Sequence, residues 1–336
     1  MPVRRIVPKR PTTFHSVSRT AGQVFLFFPE FKDEIRKYLG RLATFCGVQV
    51  LTYTLMDNHF HLVIRVQGKC TADEKEIIRR HRALYGDIKT EKRINQWEHW
   101  RKTNQMELLI KDQQGLRNRM DNLSMFMKQF KQFCTQRYRK LTGREGTIWE
   151  GTFHSVIVDP EKVRFTCAYV DMNAVRAKLS DYPEEYAWCG FAEAMGRSHC
   201  IDKNLDFRRG LADMYGVPAE EIMGLELALK HRERYFCLSK AMETMPKEYW
   251  DKDNNLVNGV DLPIAHYIRC RIGYLTRGCI IGSKRFVEKE FRENRAHFGS
   301  RRKFGAHKIR GCSELARELY SLRDLRKEVV TYPLRP

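Results

Sequence analysis

VQVLTYTL (48–55) and HFHLVIRV (59–66), separated by Met56, Asp57 and Asn58, are the stretches on which the fold class turns. Both are rich in β-branched and aromatic residues, and a three-residue gap suits a hairpin turn, so they read as antiparallel strands. Side chains alternate along a strand, which sends Phe60, Leu62 and Ile64 to one face and His59 and His61 to the other. The apolar trio accounts for the core side. The two imidazoles are therefore expected on the free face of the sheet, close enough to share one divalent cation. Taken alone, His-x-His also describes two solvated histidines on an exposed strand.

Upstream, TTFHSVSR (12–19) alternates like a strand, and residues 30–46 carry Phe31, Ile35, Leu39, Leu42 and Phe45 at helical spacing. Downstream, residues 68–120 are charged and lack sustained periodicity, which predicts an exposed, partly helical insertion. Regular spacing resumes with Leu123, Phe126, Met127, Phe130, Phe133 and Cys134, an amphipathic helix to about Leu141. FHSVIV (153–158) reads as a short strand, and Asp159 with Pro160 as an N-cap followed by Pro, opening a helix from 160 to about 178. The order β-α-β-β-(insertion)-α-β-α predicts an α+β fold over residues 1–195, a ferredoxin-like antiparallel sheet with its helices on one face. An all-α region is expected to follow, with a helical linker at 196–250, a polar break at WDKDNNLVNGVDLP (250–263) and a basic segment at 260–336.

Charge narrows the function classes. Sixty-one Lys and Arg against 41 Asp and Glu leave a net charge of +20, more than solubility needs, so a polyanionic partner is implied and nucleic acid is the first candidate. There is no run of about 18 apolar residues, no signal-peptide layout and no lipidation motif, which argues against a membrane and for a cytoplasmic, nucleoid-associated protein. Half of the excess lies between Ile264 and Cys312, with thirteen Lys or Arg against three Glu. That segment reads as a helix (264–275), a turn through Arg277, Gly278 and Gly282, and a second helix capped by Ser283. The layout is compatible with a helix-turn-helix module, and also with a basic helical pair that binds phosphates without reading bases. Its candidate DNA contacts are Arg277, Lys284, Arg285, Arg301, Arg302 and Lys303. In the N-terminal half they are Arg19, Lys128, Lys131, Arg137, Arg144 and Arg176, several interleaved with Phe126, Phe130 and Tyr138 as cations and aromatics are on single-strand binding surfaces. The ten cysteines are scattered without a CxxC pair and are expected to be reduced and mostly buried.

On the helix from 160, Tyr169, Asn173 and Arg176 fall at i, i+4 and i+7 and share a stripe, while Val163, Cys167, Val170, Ala174 and Ala177 form the inward one. An Asn oxygen there would complete a His-His-Asn site for Mg²⁺ or Mn²⁺, leaving positions for phosphate oxygens. The plainer reading is a surface Tyr and an Asn near a helix end.

Taken together these segments resemble the HUH endonucleases, which carry His-hydrophobic-His on a central strand of such a sheet, as MDNHFHLVI (56–64) does here. Within them, YVDMNAVRA (169–177) resembles the tyrosine helix of the single-tyrosine transposases, especially the REP-associated tyrosine transposases. GTIWEGTFHS (146–155) and DYPEEYAWCGF (181–191) are similar to two further elements of that family. The resemblance spans about residues 12–192, broken by the insertion. It implies His59, His61 and Asn173 as ligands of Mg²⁺ or Mn²⁺ and Tyr169 as the nucleophile. It also implies single-stranded or hairpin DNA, of REP-like palindromic type, as substrate, and allows a homodimer. Two positions depart from it. Ala174 stands where the family has Pro, so the helix is expected to run straighter, and Thr152 stands where it has Arg, removing one phosphate contact.

The implied chemistry is transesterification. A phenol is a weak nucleophile at neutral pH, so a metal has to polarise the phosphate while Tyr169 attacks, leaving a 5′-phosphotyrosine and a free 3′-hydroxyl. Attack by another 3′-hydroxyl then rejoins DNA without ATP. Two other functions fit the same residues, a non-cutting regulatory protein that binds DNA hairpins and a rolling-circle replication initiator.

Overall fold

A computed structural model describes residues 10–194, 271–309, 319–323 and 330–331, together with Ile6 and Pro8. The proposed linker region at 196–250, the polar break, and the first half of the helix expected from 264 lie outside the described residues. In the N-terminal half, β1 (Thr12–Arg19), α1 (Pro29–Cys46), β2 (Gln49–Leu55), β3 (His59–Val66), α5 (Leu123–Thr142) and β4 (His154–Val158) follow the order expected from the sequence. β1 lies between β3 and β4 and β2 lies outside β3, all antiparallel, which is the ferredoxin-like arrangement of an α+β fold. α1 and α5 cover one face, where Phe60 meets Phe130 edge-on at 5.1 Å between ring centres. Phe31, Ile35, Leu39, Leu42, Phe126, Met127 and Phe130 are buried there, as their spacing predicts.

The sheet differs from expectation on three counts. First, it does not stop at four strands. β6 (Ile280–Gly282) pairs with β4 in parallel, and β8 (Tyr320–Ser321) and β7 (His307–Lys308) extend it to seven strands in the order β2-β3-β1-β4-β6-β8-β7. The C-terminal segment is therefore not all-α, and a strand stands where the turn of a helix-turn-helix was expected. Its short apolar run Ile280-Ile281 is fully buried, and a run of that length cannot be told from helix by periodicity. Between β5 (Arg271–Ile272), which pairs with β9 (Val330–Thr331), and β6 lies a single turn of helix, α9 (Gly273–Arg277), and after β6 comes α10 (Lys284–Glu293).

Second, helices cover both faces. α6 (Val163–Asp171) packs on β2 and β3, and α9 packs on β1 and β4, on the side that carries the histidines. Third, the insertion is an ordered three-helix unit, α2 (Glu74–Tyr85), α3 (Asp87–Lys102) and α4 (Met106–Arg117), packed against α1. Ile77, Trp97, Leu109, Leu116 and Met120 are buried in it. α2 buries Ile77, His81 and Leu84 at helical spacing, whereas α3 buries only Thr90 and Trp97 and is joined to α4 by Arg93–Asp112 and Trp97–Asp112 bonds. The six described cysteines, Cys46, Cys70, Cys134, Cys167, Cys189 and Cys279, are free thiols, and four of them are buried.

The join between the halves rests on Asp159. Its Oδ2 accepts hydrogen bonds from the Ser283 amide and hydroxyl, both at 2.8 Å, and Oδ1 accepts from the Glu161 amide. One buried carboxylate thus starts the segment leading to α6 and fastens the cap of α10. Gly282 permits the approach, since a Cβ there would lie 2.3 Å from that of Asp159. Asp159→Ala is expected to cost about 2–4 kcal/mol. Denaturant unfolding should read this loss, with hydrogen exchange rising first in residues 280–293.

His81, buried in the insertion and bonded through Nδ1 to Thr90 Oγ1 at 2.8 Å, is held to about 4 by desolvation, with Arg93 and Arg119 adding to the effect. Between pH 6.5 and 4 the unfolded chain binds a proton at His81 that the folded chain does not. Stability therefore falls as pH is lowered through that window. His81→Gln should lose about 1–2 kcal/mol less than the wild type between pH 7 and pH 5, measured by denaturant unfolding at each pH.

Candidate functional site

The site lies on the histidine face of the sheet, and register builds it. Across β3 and β1, His59 stands opposite Arg19, His61 opposite Val17, and Val63 opposite His15. Val17 in turn faces His154 on β4, so His61, Val17 and His154 form one cross-strand row. The turn before His59 is fixed by the buried Lys32, whose Nζ donates to Asp57 Oδ1 at 2.5 Å and to the Tyr186 hydroxyl at 2.9 Å. Burial lowers the pKa of Lys32, and the bond to Asp57 opposes that.

His59 and His61 sit with ring centres 5.0 Å apart. His59 is half-buried, but His61 is buried at 2% exposure, so the face is not free as expected. Each ring has one nitrogen committed to a neighbour. His59 Nδ1 pairs with Asn58 Oδ1 at 2.7 Å, and His61 Nδ1 pairs with His15 Nε2 at 2.8 Å. A donating Nδ1 leaves Nε2 as the lone-pair nitrogen, which is how metal-binding histidines are usually oriented. His15 is fully buried, and desolvation holds it to about 4, against the raising effect of the Leu275 backbone. Burial also pushes His61 well below its ordinary value, with His59, His15 and Arg176 adding to the effect. Both rings are neutral at physiological pH, the form that can ligate a cation.

Tyr169 comes to this face on α6. Its ring is edge-on to His61 at 6.3 Å and to His15 at 6.1 Å between centres. α6 is held there by Thr54 Oγ1, which donates to the Val170 carbonyl at 2.8 Å, and by the Thr52 hydroxyl, which donates to Asp171. The helix does not run straight to 178. It ends at Asp171, Met172 takes ψ near 2°, and a separate turn, α7 (Asn173–Arg176), follows. The loss of Pro at 174 has not straightened it, because the bonds to β2 fix the end of α6 irrespective of residue 174.

The Tyr169, Asn173 and Arg176 stripe does form, but inward. Tyr169 is 1% exposed, so its side chain is closed off from solvent. The Arg176 guanidinium lies 4.1 Å from the centre of the Tyr169 ring and donates to the Tyr169 carbonyl and to Asn173 Oδ1, the latter at 2.6 Å. Arg176 is thus a clamp within the site and not an exposed phosphate contact, and the Asn173 oxygen expected on a metal is engaged by a cation. Ala177, expected to pack inward, is exposed. Among the described residues no three or more of His, Cys, Asp and Glu gather to hold a metal. The residues fit a divalent cation only in part, with His59 and His61 side by side and the Asn173 oxygen engaged by Arg176.

The other expected DNA contacts separate by face. Lys128, Lys131, Arg137 and Arg144 lie on α5 or just after it, across the sheet from the histidines. Arg137 forms a two-pronged ion pair with Glu34, and Lys131 donates to the Gly151 carbonyl while lying over the Trp149 ring, so both hold structure together. Arg302 spans backbone carbonyls of Phe304 and Gly305. Lys128, Arg144, Lys284, Arg285, Arg301 and Lys303 are exposed. Arg19 and Arg277 are the two brought together beside the histidines, in a cleft that Thr152 also lines. Sequence reading missed His15. Its signal was available, since His15, Val17 and Arg19 alternate on one face of β1.

No family model matches this chain. Among solved structures, that of a REP-associated tyrosine transposase bound to a REP hairpin is similar over 60% of this chain and 90% of that one, at 14% identity and a TM-score of 0.35. A likeness that loose fixes neither fold nor function. Among the described residues no helix is long and apolar enough to cross a membrane.

Replacing His15 by Phe keeps the ring volume and removes the partner of His61 Nδ1. The expected result is His61 shifting from one tautomer to a mixture, read in imidazole ¹⁵N chemical shifts, with the fold retained. An unchanged His61 tautomer would show that His15 only fills space.

Proposed function

We propose that this chain is a metal-dependent DNA strand-transferase, in which Tyr169 attacks single-stranded DNA beside a hairpin and His59 and His61 hold Mg²⁺ or Mn²⁺. The observation that carries this reading is the meeting of a phenol and the histidine pair, 108 positions apart in sequence, on one sheet face. Neither a core-packing tyrosine nor a solvated His pair requires the other. The resemblance of MDNHFHLVI and YVDMNAVRA to the single-tyrosine HUH transposases supports it independently.

A bound cation would polarise the scissile phosphate and offset the charge gathering on its oxygens. The residues of the chain supply the rest. The Tyr169 oxygen forms a bond to phosphorus as the P–O3′ bond breaks, the phenolic proton is lost, and the departing 3′ oxygen gains one. The new phosphodiester links Tyr169 to the 5′ side, and reversal with a different 3′-hydroxyl completes transfer. His15 keeps His61 in one tautomer, and Arg176 fixes the Tyr169 ring and would have to release Asn173 for a third ligand to form. A homodimer remains compatible with this chemistry.

The burial of Tyr169 and the capture of Asn173 by Arg176 favour one second reading, a protein that binds DNA hairpins without cutting them. The two separate in one experiment. Hairpin oligonucleotides with 5′ flanks are incubated with protein and Mn²⁺, and denaturation-resistant adducts are sought. The wild type should form adduct and Tyr169→Phe none, with hairpin affinity changed less than about twofold, since only one hydroxyl is lost. His59→Ala, His61→Ala and chelator should each abolish cleavage, and His15→Phe should weaken Mn²⁺ binding by roughly 10–100-fold in calorimetric titration. Tight hairpin binding with no adduct in the wild type would establish the non-cutting reading.

A further inference from the structure

A cleft of about 330 Å³ opens beside the histidine pair, lined by Arg19, Glu150, Thr152 and His154 from the N-terminal half and by Thr276 and Arg277 from the C-terminal segment. Its position follows from the sheet. Arg19 is the cross-strand neighbour of His59, and His154 is separated from His61 only by Val17 in the same row. Two strand spacings, roughly 10 Å, therefore separate His154 from His61. The parallel pairing of β6 with β4 brings α9 over this face and Arg277, exposed at the end of α9, to the cleft mouth.

The charge of the cleft is lopsided. Arg19, Arg323 and Arg277 all depress the pKa of His154, after burial as the main cause, and Glu150 alone opposes them. Arg323 also donates to the Arg277 carbonyl at 2.9 Å, tying the two basic positions together. Among the described residues the cleft carries more positive than negative charge, which favours entry of an anion. Planar guanidiniums present paired N–H donors that match the oxygens of a phosphate, and the Thr152 hydroxyl also lines the cleft.

We propose that Arg19, His154 and Arg277 form a phosphate pocket, built jointly by the catalytic sheet and the C-terminal segment, that seats one phosphodiester of the DNA strand leading to His59 and His61. The proposal rests on the strand-transferase reading for what the neighbouring phosphate undergoes, but not for the pocket itself. The C-terminal segment then acts within the site and not as a separate DNA-reading module, and its charge is felt at the strand being cut.

The test uses the full chain, a single-stranded oligonucleotide and a salt series. Arg277→Gln removes an exposed side chain and should leave the fold intact. It is expected to weaken single-strand binding about tenfold, as loss of a charge-assisted contact does. The slope of log affinity against log salt should fall by roughly 0.7, the value of one phosphate contact. Arg277→Lys should restore most of the slope, Arg19→Gln should act like Arg277→Gln, and Lys303→Gln should lower affinity less than either. Inorganic phosphate should compete with the oligonucleotide more weakly in Arg277→Gln than in the wild type. Equal affinity and slope in Arg277→Gln and wild type would overturn the pocket. Adduct formation by the wild type is measured alongside, so the two ideas fail separately. A pocket effect without adduct sinks the transferase reading alone, and adduct without a pocket effect sinks the pocket alone.

Discussion

One extra residue in β2 sets the geometry of the site. Between Val50 and Thr52 the register with β3 shifts, so that Val50 opposes Ile64 while Thr52 opposes Val63. A bulge of this kind turns the side chains that follow it to the opposite face. Without it Thr52 and Thr54 would point with Val50 into the layer of α1 and α5. With it they point to the histidine side, where their hydroxyls donate to Asp171 and to the Val170 carbonyl and hold the end of α6 against the sheet. Tyr169 stands one residue before Val170, so its distance from His61 is inherited from that bulge. Tyr53 and Leu55 meanwhile stay on the core side, opposite Leu62 and Phe60.

The same face shows what it costs to bury polar groups and how the fold compensates. His15 and His61 are buried, bond to each other and stay neutral. Arg176 lies on the Tyr169 ring and donates to the Tyr169 carbonyl and Asn173. In such a buried network each lost pairing leaves a polar group without water to replace it, so the pairings are mutually dependent. Asn173 and Arg176 lie on the same turn, α7, so any movement of that turn displaces both from Tyr169 together.

The C-terminal segment extends the same logic. Asp159 ends β4, starts the segment leading to α6, and accepts from Ser283 at the start of α10. A single carboxylate therefore links the helix that carries Tyr169 to the strand that positions Arg277. The cationic cleft and the phenol are thus placed by neighbouring bonds.

The sequence alone determined the ferredoxin-like order of elements, the hairpin with its alternating histidines, the amphipathic α5 and the capped start of the segment at Asp159. These are local patterns, written in side chains two, three or four residues apart, and the four antiparallel strands follow from them. It also singled out Tyr169, Asn173, His59 and His61, through the resemblance of MDNHFHLVI and YVDMNAVRA to the single-tyrosine HUH transposases. Only the tertiary structure decided that both sheet faces are covered, that His15 backs His61, that Arg176 clamps Tyr169 and Asn173, and that the basic C-terminal segment adds strands to the sheet. Apart from the Arg176 clamp, which joins residues three and seven positions apart, each depends on pairings between residues tens to hundreds of positions apart. The bulge in β2 adds a further reason, since one unpaired residue reverses which face the following side chains occupy and leaves no mark in the composition of VQVLTYTL.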